Sequence, residues 1–309
     1  SAQAQTATCW TNNVPTLTTF FTQSGQVNGA SGQYYTTVYN VDSDNTDDTG
    51  IAQFEIAYGN SLGKGTVAYN ANASTTLSPS STIFGQYRTL VLEDENSSFS
   101  FGGVTSDSIY ALSVERAAYK QALFPGSLNL SLKAVGSTNY LSLTDNSGMV
   151  TVPTYYGTMR AYQIISGSDG IAYNKLQGGN GYTTSNGSYG LFLPDIGTIL
   201  LNGTALDLSF VNGGIALATN TTTNTEGGNN ERLFTAITGS GNFGLNSEET
   251  ITSDFVFVRA RNSEFNYSTN PSYISGSTGE VVYNYFINNP QTYMTTVGLY
   301  NDSNDLLAV

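Results

Sequence analysis

The sequence predicts a mainly β protein, with antiparallel sandwich- or barrel-like sheets and one short helix near residues 115–124. Charged residues are only 11% of the chain, less than half of the roughly 25% in ordinary soluble domains. Long amphipathic helices need charged outer faces, and this chain lacks the residues to build them. Ser, Thr, Asn, Gly and 21 Tyr fill the polar surface instead. Short runs of alternating apolar and polar residues, punctuated by Gly, Asn and Pro, recur along the chain and read as strands and turns.

In chain order, residues 1–33 are rich in Thr, Gln, Ser and Gly and predict an extended N-terminal arm with little core of its own. Residues 33–41 (QYYTTVYNV) and 51–58 predict two strands of a long-looped hairpin. The loop between them carries Asp42, Asp44, Asp47 and Asp48. Four carboxylates on one segment suit Ca²⁺, which takes several oxygen ligands from a flexible loop; without an EF-hand's glycine and terminal glutamate, a solvated hairpin end is the plainer alternative. Residues 83–92 turn apolar, and 109–114 predict a buried strand. Residues 115–124 (ERAAYKQALF) are the one segment of strong helix formers, stopped by Pro125-Gly126, with Ala118, Ala122 and Leu123 able to face a sheet.

From residue 127 the strands become short and regular. Leu128, Leu130 and Leu132 alternate, as do Leu141 and Leu143, and 145–148 reads as a turn. Strands follow at 150–152, 161–166, 190–193, 198–201, 205–210 and 233–237. The domain reading is an arm (1–33), a β domain with a short helix (34–126), a sandwich-like middle region (127–211), a flexible loop or junction (212–230) and a C-terminal β region (231–309) able to pack back on the first domain.

The last stretch, 255–309, predicts several strands. Phe255, Phe257, Arg259 and Arg261 share one face by period-2 alternation. Val281, Tyr283, Tyr285 and Ile287 share another, as do Tyr293, Thr295, Val297 and Leu299. Residues 301–305 (NDSND) form a turn signal, after which Leu306, Leu307, Ala308 and Val309 begin a new apolar run. Arg259 and Arg261 sit among phenylalanines with Glu264 close behind, in an acidic chain. They form an ion pair either with a second copy or internally at a sheet edge.

The chain has no histidine, which excludes histidine-activated nucleophiles and histidine metal sites. Its net charge is −13 and its basic residues are scattered, so no stripe exists to neutralise a phosphate backbone. The single cysteine, Cys9, excludes an intrachain disulfide and reads as a buried thiol beside Trp10 or, less simply, an intersubunit bridge. No apolar run is long enough for a membrane-spanning helix. Glu93, Asp94, Glu95, Glu115, Glu248 and Glu249 are the acids a two-carboxylate glycan hydrolase would draw on, and adjacent strand residues such as Glu248 and Glu249 point to opposite faces. Asn-x-Ser/Thr triplets begin at Asn72, Asn96, Asn129, Asn186, Asn202, Asn220 and Asn266.

The succession QYYTTVYNV, FEIAYGNSLGKG, IFGQYRTLVLED, SIYALSVERAAYKQALFPGSLNLSL, GLFLPDIGTILLN, FVRARNSEFNYSTNPSYISG and TYMTTVGLYNDSNDLLAV resembles virion structural proteins of large contractile-tailed bacteriophages, especially those of marine cyanobacteria. The resemblance spans most of the chain after residue 30, and its motifs are structural rather than catalytic. It implies a multi-copy particle component made in the host cytoplasm, placed in the tail or baseplate ahead of the neck or capsid surface. It also implies neither cofactor nor reaction, with other copies and other virion proteins as partners. Arg259, Arg261, Glu264, Leu306, Leu307 and Val309 are the interface candidates. In the family the final LLAV run continues further, so Leu306 to Val309 are expected to pair with a strand of this chain or of a neighbour. The alternatives are a receptor-binding module recognising host surface glycan, through its tyrosines, and a two-carboxylate hydrolase.

Overall fold

The computed structural model describes residues 2–22, 35–41, 50–63, 80–173, 178–183, 185–221, 228–253, 270–288 and 296–309, together with Phe255, Phe257, Arg259 and Arg261. The chain divides into two compact units, residues 2–252 and residues 253–309.

The larger unit is mainly β and is dominated by one large antiparallel sheet curled into a half-barrel. Its strands are β2 (Thr16–Leu17), β3 (Phe21–Thr22), β4 (Tyr35–Val41), β5 (Gly50–Asn60), β8 (Ser108–Val114), β10 (Asn129–Lys133), β11 (Tyr140–Asp145), β13 (Met159–Ser168), β15 (Gly190–Leu193), β16 (Thr198–Asn202) and β17 (Phe243–Gly244). The spatial order is β2-β17-β10-β11-β13-β15-β16-β8-β5-β4-β3. Two short strands, β12 (Thr154–Tyr156) and β14 (Ile171–Ala172), also pair with β13. A separate three-stranded sheet joins β1 (Ala2–Thr8), β18 (Asn246–Thr252) and β9 (Ala122–Leu123), and β6 (Ser100–Phe101) pairs with β7 (Val104–Thr105).

Register explains the main core. Ile56 lies opposite Leu112, Leu112 opposite Ile199, Ile199 opposite Phe192, and Phe192 opposite Tyr162. Residues directly opposite share a face, so five strands contribute one continuous apolar row. Phe54, Tyr58, Tyr110, Val114, Leu201 and Ile164 flank it in the same cluster. Burying each such side chain contributes about 1.5–3 kcal/mol. The central strands are apolar on the other face too: Ala57, Ile109, Ala111, Leu191, Leu193 and Leu200 form a second cluster with Phe99 and Phe101. This is why 109–114 reads as an apolar run interrupted only by Ser113.

A helix, Ser80–Leu92, covers that second face, in the stretch that reads merely as apolar from the sequence. Ile83, Phe84, Tyr87 and Val91 lie at helical spacing and pack against the second cluster. Gly59 of β5 permits the contact, since a Cβ there would lie 2.9 Å from the Phe84 backbone nitrogen. The helix ends where Glu93 takes a left-handed conformation and donates its N–H to the Thr89 carbonyl.

The helix expected at 115–124 is instead a single 3-10 turn, Arg116–Ala118, followed by β9. Tyr119 is extended, and the Arg116 guanidinium caps its ring at 4.7 Å while donating to its carbonyl oxygen. Ala122 and Leu123 are drawn into the sheet by pairing with Glu248 and Ser247. Tertiary pairing thus overrides a favourable local propensity.

Three other expected strands take different forms. Residues 150–152 carry no strand and are exposed. The stretch 205–210 is split between the Gly203–Leu206 turn of helix and the Phe210–Asn212 3-10 turn, because Asn202 caps the first by accepting from the Ala205 N–H. Residues 233–237 belong to the helix Asn229–Ser240, whose Leu233, Ala236 and Ile237 sit at i, i+3 and i+4 and join the main core. Gly241, left-handed, ends it with a bond to the Ile237 carbonyl.

Up to Leu245, the segments expected as separate regions share one core. Cys9, Trp10 and Leu17 of the expected arm are buried in it, Trp10 lying 4.9 Å from the Phe243 ring. Ala2–Thr8 pairs along its whole length with β18. The expected boundary at 126/127 falls inside the main cluster, which takes in Leu123, Leu128 and Leu130. Of the expected junction, residues 212–221 and 228–230 are described, and Ile215 and Leu217 are buried in the same cluster.

Candidate assembly surface

In the smaller unit the expected strands are mostly absent among the described residues. Phe255, Phe257, Arg259 and Arg261 carry no strand and are exposed. Ile274 makes an isolated bridge with Val281, backed by the Tyr273 and Tyr283 rings at 5.6 Å. Beyond it, Asn284–Asn288 forms a helical turn where a strand was expected. A strand satisfies its backbone only beside a second strand, whereas a helical turn supplies its own hydrogen bonds. The described residues give this stretch no neighbour longer than one bridge.

The final apolar run does pair. β20 (Leu306–Ala308) lies antiparallel to β19 (Leu299–Tyr300), with Leu299 opposite Ala308 and Tyr300 opposite Leu306. The NDSND turn between them is closed by Asn301, whose Oδ1 accepts from Ser303 and Asp305 N–H at 2.9 and 2.8 Å. Asn304 takes the left-handed conformation the turn requires. The expected pairing of the run is therefore met within this chain.

Most of the described large apolar side chains of this unit are exposed. Phe255 and Phe257 are 71% and 95% exposed, and Leu307 and Val309 are 67% and 79% exposed. Single exposed apolar residues need no explanation, but several of them within one small unit make it a candidate interaction surface. A two-stranded hairpin is also marginal in water without cover. Leu306 is exposed as well, while Glu264 and the four loop aspartates, Asp42, Asp44, Asp47 and Asp48, lie outside the described residues.

The sheet edges differ in what they offer. The large sheet ends in two-residue strands, β2 and β3, too short to template much pairing. The three-stranded sheet ends in β1, a seven-residue edge.

In the larger unit one cluster of charged groups is used internally. Arg160 of β13 donates to Asp195 Oδ1 at 2.6 Å and to Glu248 Oε1 at 2.5 Å, and its backbone N–H donates to Asp195 Oδ2. Burial opposes the guanidinium charge, but the two carboxylate hydrogen bonds outweigh it and raise the pKa above its ordinary value. Sequence reasoning missed this arginine because its partners lie 35 and 88 residues away. Glu248 is thus committed to a cation, and Glu93, Asp94, Glu95 and Glu115 are exposed. Asp94 is held below the usual carboxylate range by the Ser97 hydroxyl and the Asn96 N–H.

Asp145 is buried and ends β11. Its carboxylate accepts from the Gly126 N–H at 2.8 and 2.9 Å and from the Ser147 N–H at 3.1 Å. Burial pushes its pKa up, and these bonds only partly offset it. Burial likewise pushes the Cys9 thiol up to about 12. Among the described residues no three His, Cys, Asp or Glu side chains are grouped to hold a metal, and no helix is long and apolar enough to cross a membrane.

No protein family matches this chain, and no curated protein or solved structure matches it.

Proposed function

We propose that this chain is a multi-copy structural component of a phage particle, in the tail or baseplate, acting by self-association and by docking to neighbouring subunits. The observation that carries the reading is the outward-facing apolar set of the small unit, Phe255, Phe257, Leu306, Leu307 and Val309. The occupant proposed for it is a second copy. A chain of net charge −13 offers carboxylates to the exposed Arg259 of the same unit, and the long β1 edge offers a second route of association by strand addition.

The test is sedimentation equilibrium of the intact chain across a wide concentration range. A defined oligomer is expected. It should dissociate when Phe257→Ser is combined with Leu307→Ser, and weaken when Arg259→Ala is combined with Arg261→Ala, with the circular dichroism spectrum unchanged. A monomer at every concentration, or an oligomer indifferent to all four substitutions, overturns the proposal.

A further inference from the structure

A polar groove crosses the larger unit where β2, β10, β11 and β13 come together. Its volume is about 300 Å³, at the small end of the roughly 300–1,000 Å³ of small-molecule sites. Such sites are usually lined by apolar side chains. This one is lined by hydroxyls, amides and one carboxylate: Asn129, Ser131, Ser142, Ser168, Asp169 and Asn242, with Tyr173 beside them.

These groups are held in place. Asn129 Nδ2 donates to Asp169 Oδ1 at 2.8 Å, Ser168 Oγ donates to Asp169 Oδ2 at 3.0 Å, and the Asp169 N–H donates to Asn129 Oδ1 at 3.0 Å. That last bond keeps Asp169 in a left-handed conformation, φ 51°, which Asp and Asn tolerate better than most residues. Nearby, Ser131 Oγ lies 3.5 Å from Ser142 Oγ and accepts from Asn242 Nδ2 at 3.4 Å.

The chemistry selects the ligand class. An ionised carboxylate has about four acceptor positions, and only two of those on Asp169 are taken by the bonds above, so an exposed Asp169 retains acceptors for a pair of adjacent hydroxyls. Asn242 and Tyr173 are also exposed, so the Tyr173 ring offers an apolar face next to those acceptors. Among the described residues that line the groove none is Lys or Arg, so none of them supplies the counter-charge that phosphate, sulfate or a sugar acid needs. The scarcity of apolar side chains works against a lipid or hydrocarbon ligand. We infer that the groove binds a neutral saccharide, through the Asp169 carboxylate to vicinal hydroxyls and the Tyr173 ring against the sugar's C–H face. The inference stands apart from the self-association reading, since the groove and the exposed apolar set belong to different units.

Saturation-transfer NMR on the intact chain tests it, with glucose, galactose, mannose, N-acetylglucosamine and sialyllactose as probes. At least one neutral sugar is expected to bind. Asp169→Asn keeps the left-handed turn but removes the charge, and it should weaken binding roughly tenfold, as for loss of a hydrogen bond to a charged group. Tyr173→Ala should weaken binding comparably, whereas Tyr155→Ala, at another exposed tyrosine, should leave it unchanged. Binding of sialyllactose alone, binding of no sugar, or binding indifferent to both groove variants overturns the inference.

Discussion

Arg160 donates to Glu248 across 2.5 Å and so ties the large sheet, through β13, to the three-stranded sheet, through β18. The same guanidinium holds Asp195, in the turn that follows β15. Removing the cation leaves two carboxylates facing one another without compensation. Arg160→Met is therefore expected to cost about 1.5–3 kcal/mol, the range for hydrogen bonds to charged groups. Urea denaturation measures it, and Glu248→Gln should cost less, because Asp195 still pairs with Arg160. Equal stability of Arg160→Met and wild type would show that the tie contributes nothing.

Asp145 offers a second test. Asp145→Ala leaves the Gly126 and Ser147 N–H groups without their acceptor and should destabilise by about 1–3 kcal/mol.

The same residue predicts a pH dependence. Its folded-state pKa is raised, so between the ordinary carboxylate value and the raised one the folded protein binds more protons than the unfolded chain. The contribution of Asp145 to stability is then fully present below the ordinary value and is lost as pH rises through the raised value. Glu55 shifts in the same direction, through burial and the nearby Glu115 charge, so the wild-type profile alone would mix the two. Thermal melts of wild type and Asp145→Asn across acidic pH separate them: wild type should lose stability relative to the variant as pH rises through that window. A pH-independent difference would reject the assignment.

Phe54 stands at the centre of the aromatic cluster, near the rings of Trp10, Phe20 and Phe243. Phe54→Ala should cost about 3–5 kcal/mol, the transfer term plus the cavity left behind. A loss below 1 kcal/mol, on the order of an exposed substitution, would mean the cluster is not packed as described.

The packing of the first twenty residues has a direct optical and chemical signature. Trp10 is the single tryptophan and is buried, so native emission should be blue-shifted and little quenched by iodide. Cys9, also buried and with its pKa near 12, should react with an aromatic disulfide reagent only on unfolding, because the thiolate is the reactive form. Fast reaction in the folded protein would return these residues to the status of a loose arm.

Period and turn chemistry in the sequence determined much of the half-barrel: the Leu130/Leu132 and Leu141/Leu143 alternations were legible because a half-buried strand repeats every two residues whatever its neighbours, and 51–58 and 109–114 because a strand covered on both faces is largely apolar. The NDSND turn was legible for a similar reason, since Asn301 closes it with bonds to residues two and four positions on. Tertiary structure alone decided whether 115–124 would follow its helical propensity or pair with β18, and whether 233–237 would be a strand or one face of a helix. It alone brought Arg160 to Glu248 and Asn129 to Asp169, pairs separated by 88 and 40 residues. The physical reason is common to all four: a propensity of a few tenths of a kcal/mol per residue yields to burial and hydrogen bonds of one or more each, and those partners are chosen by sheet order, which no local pattern records.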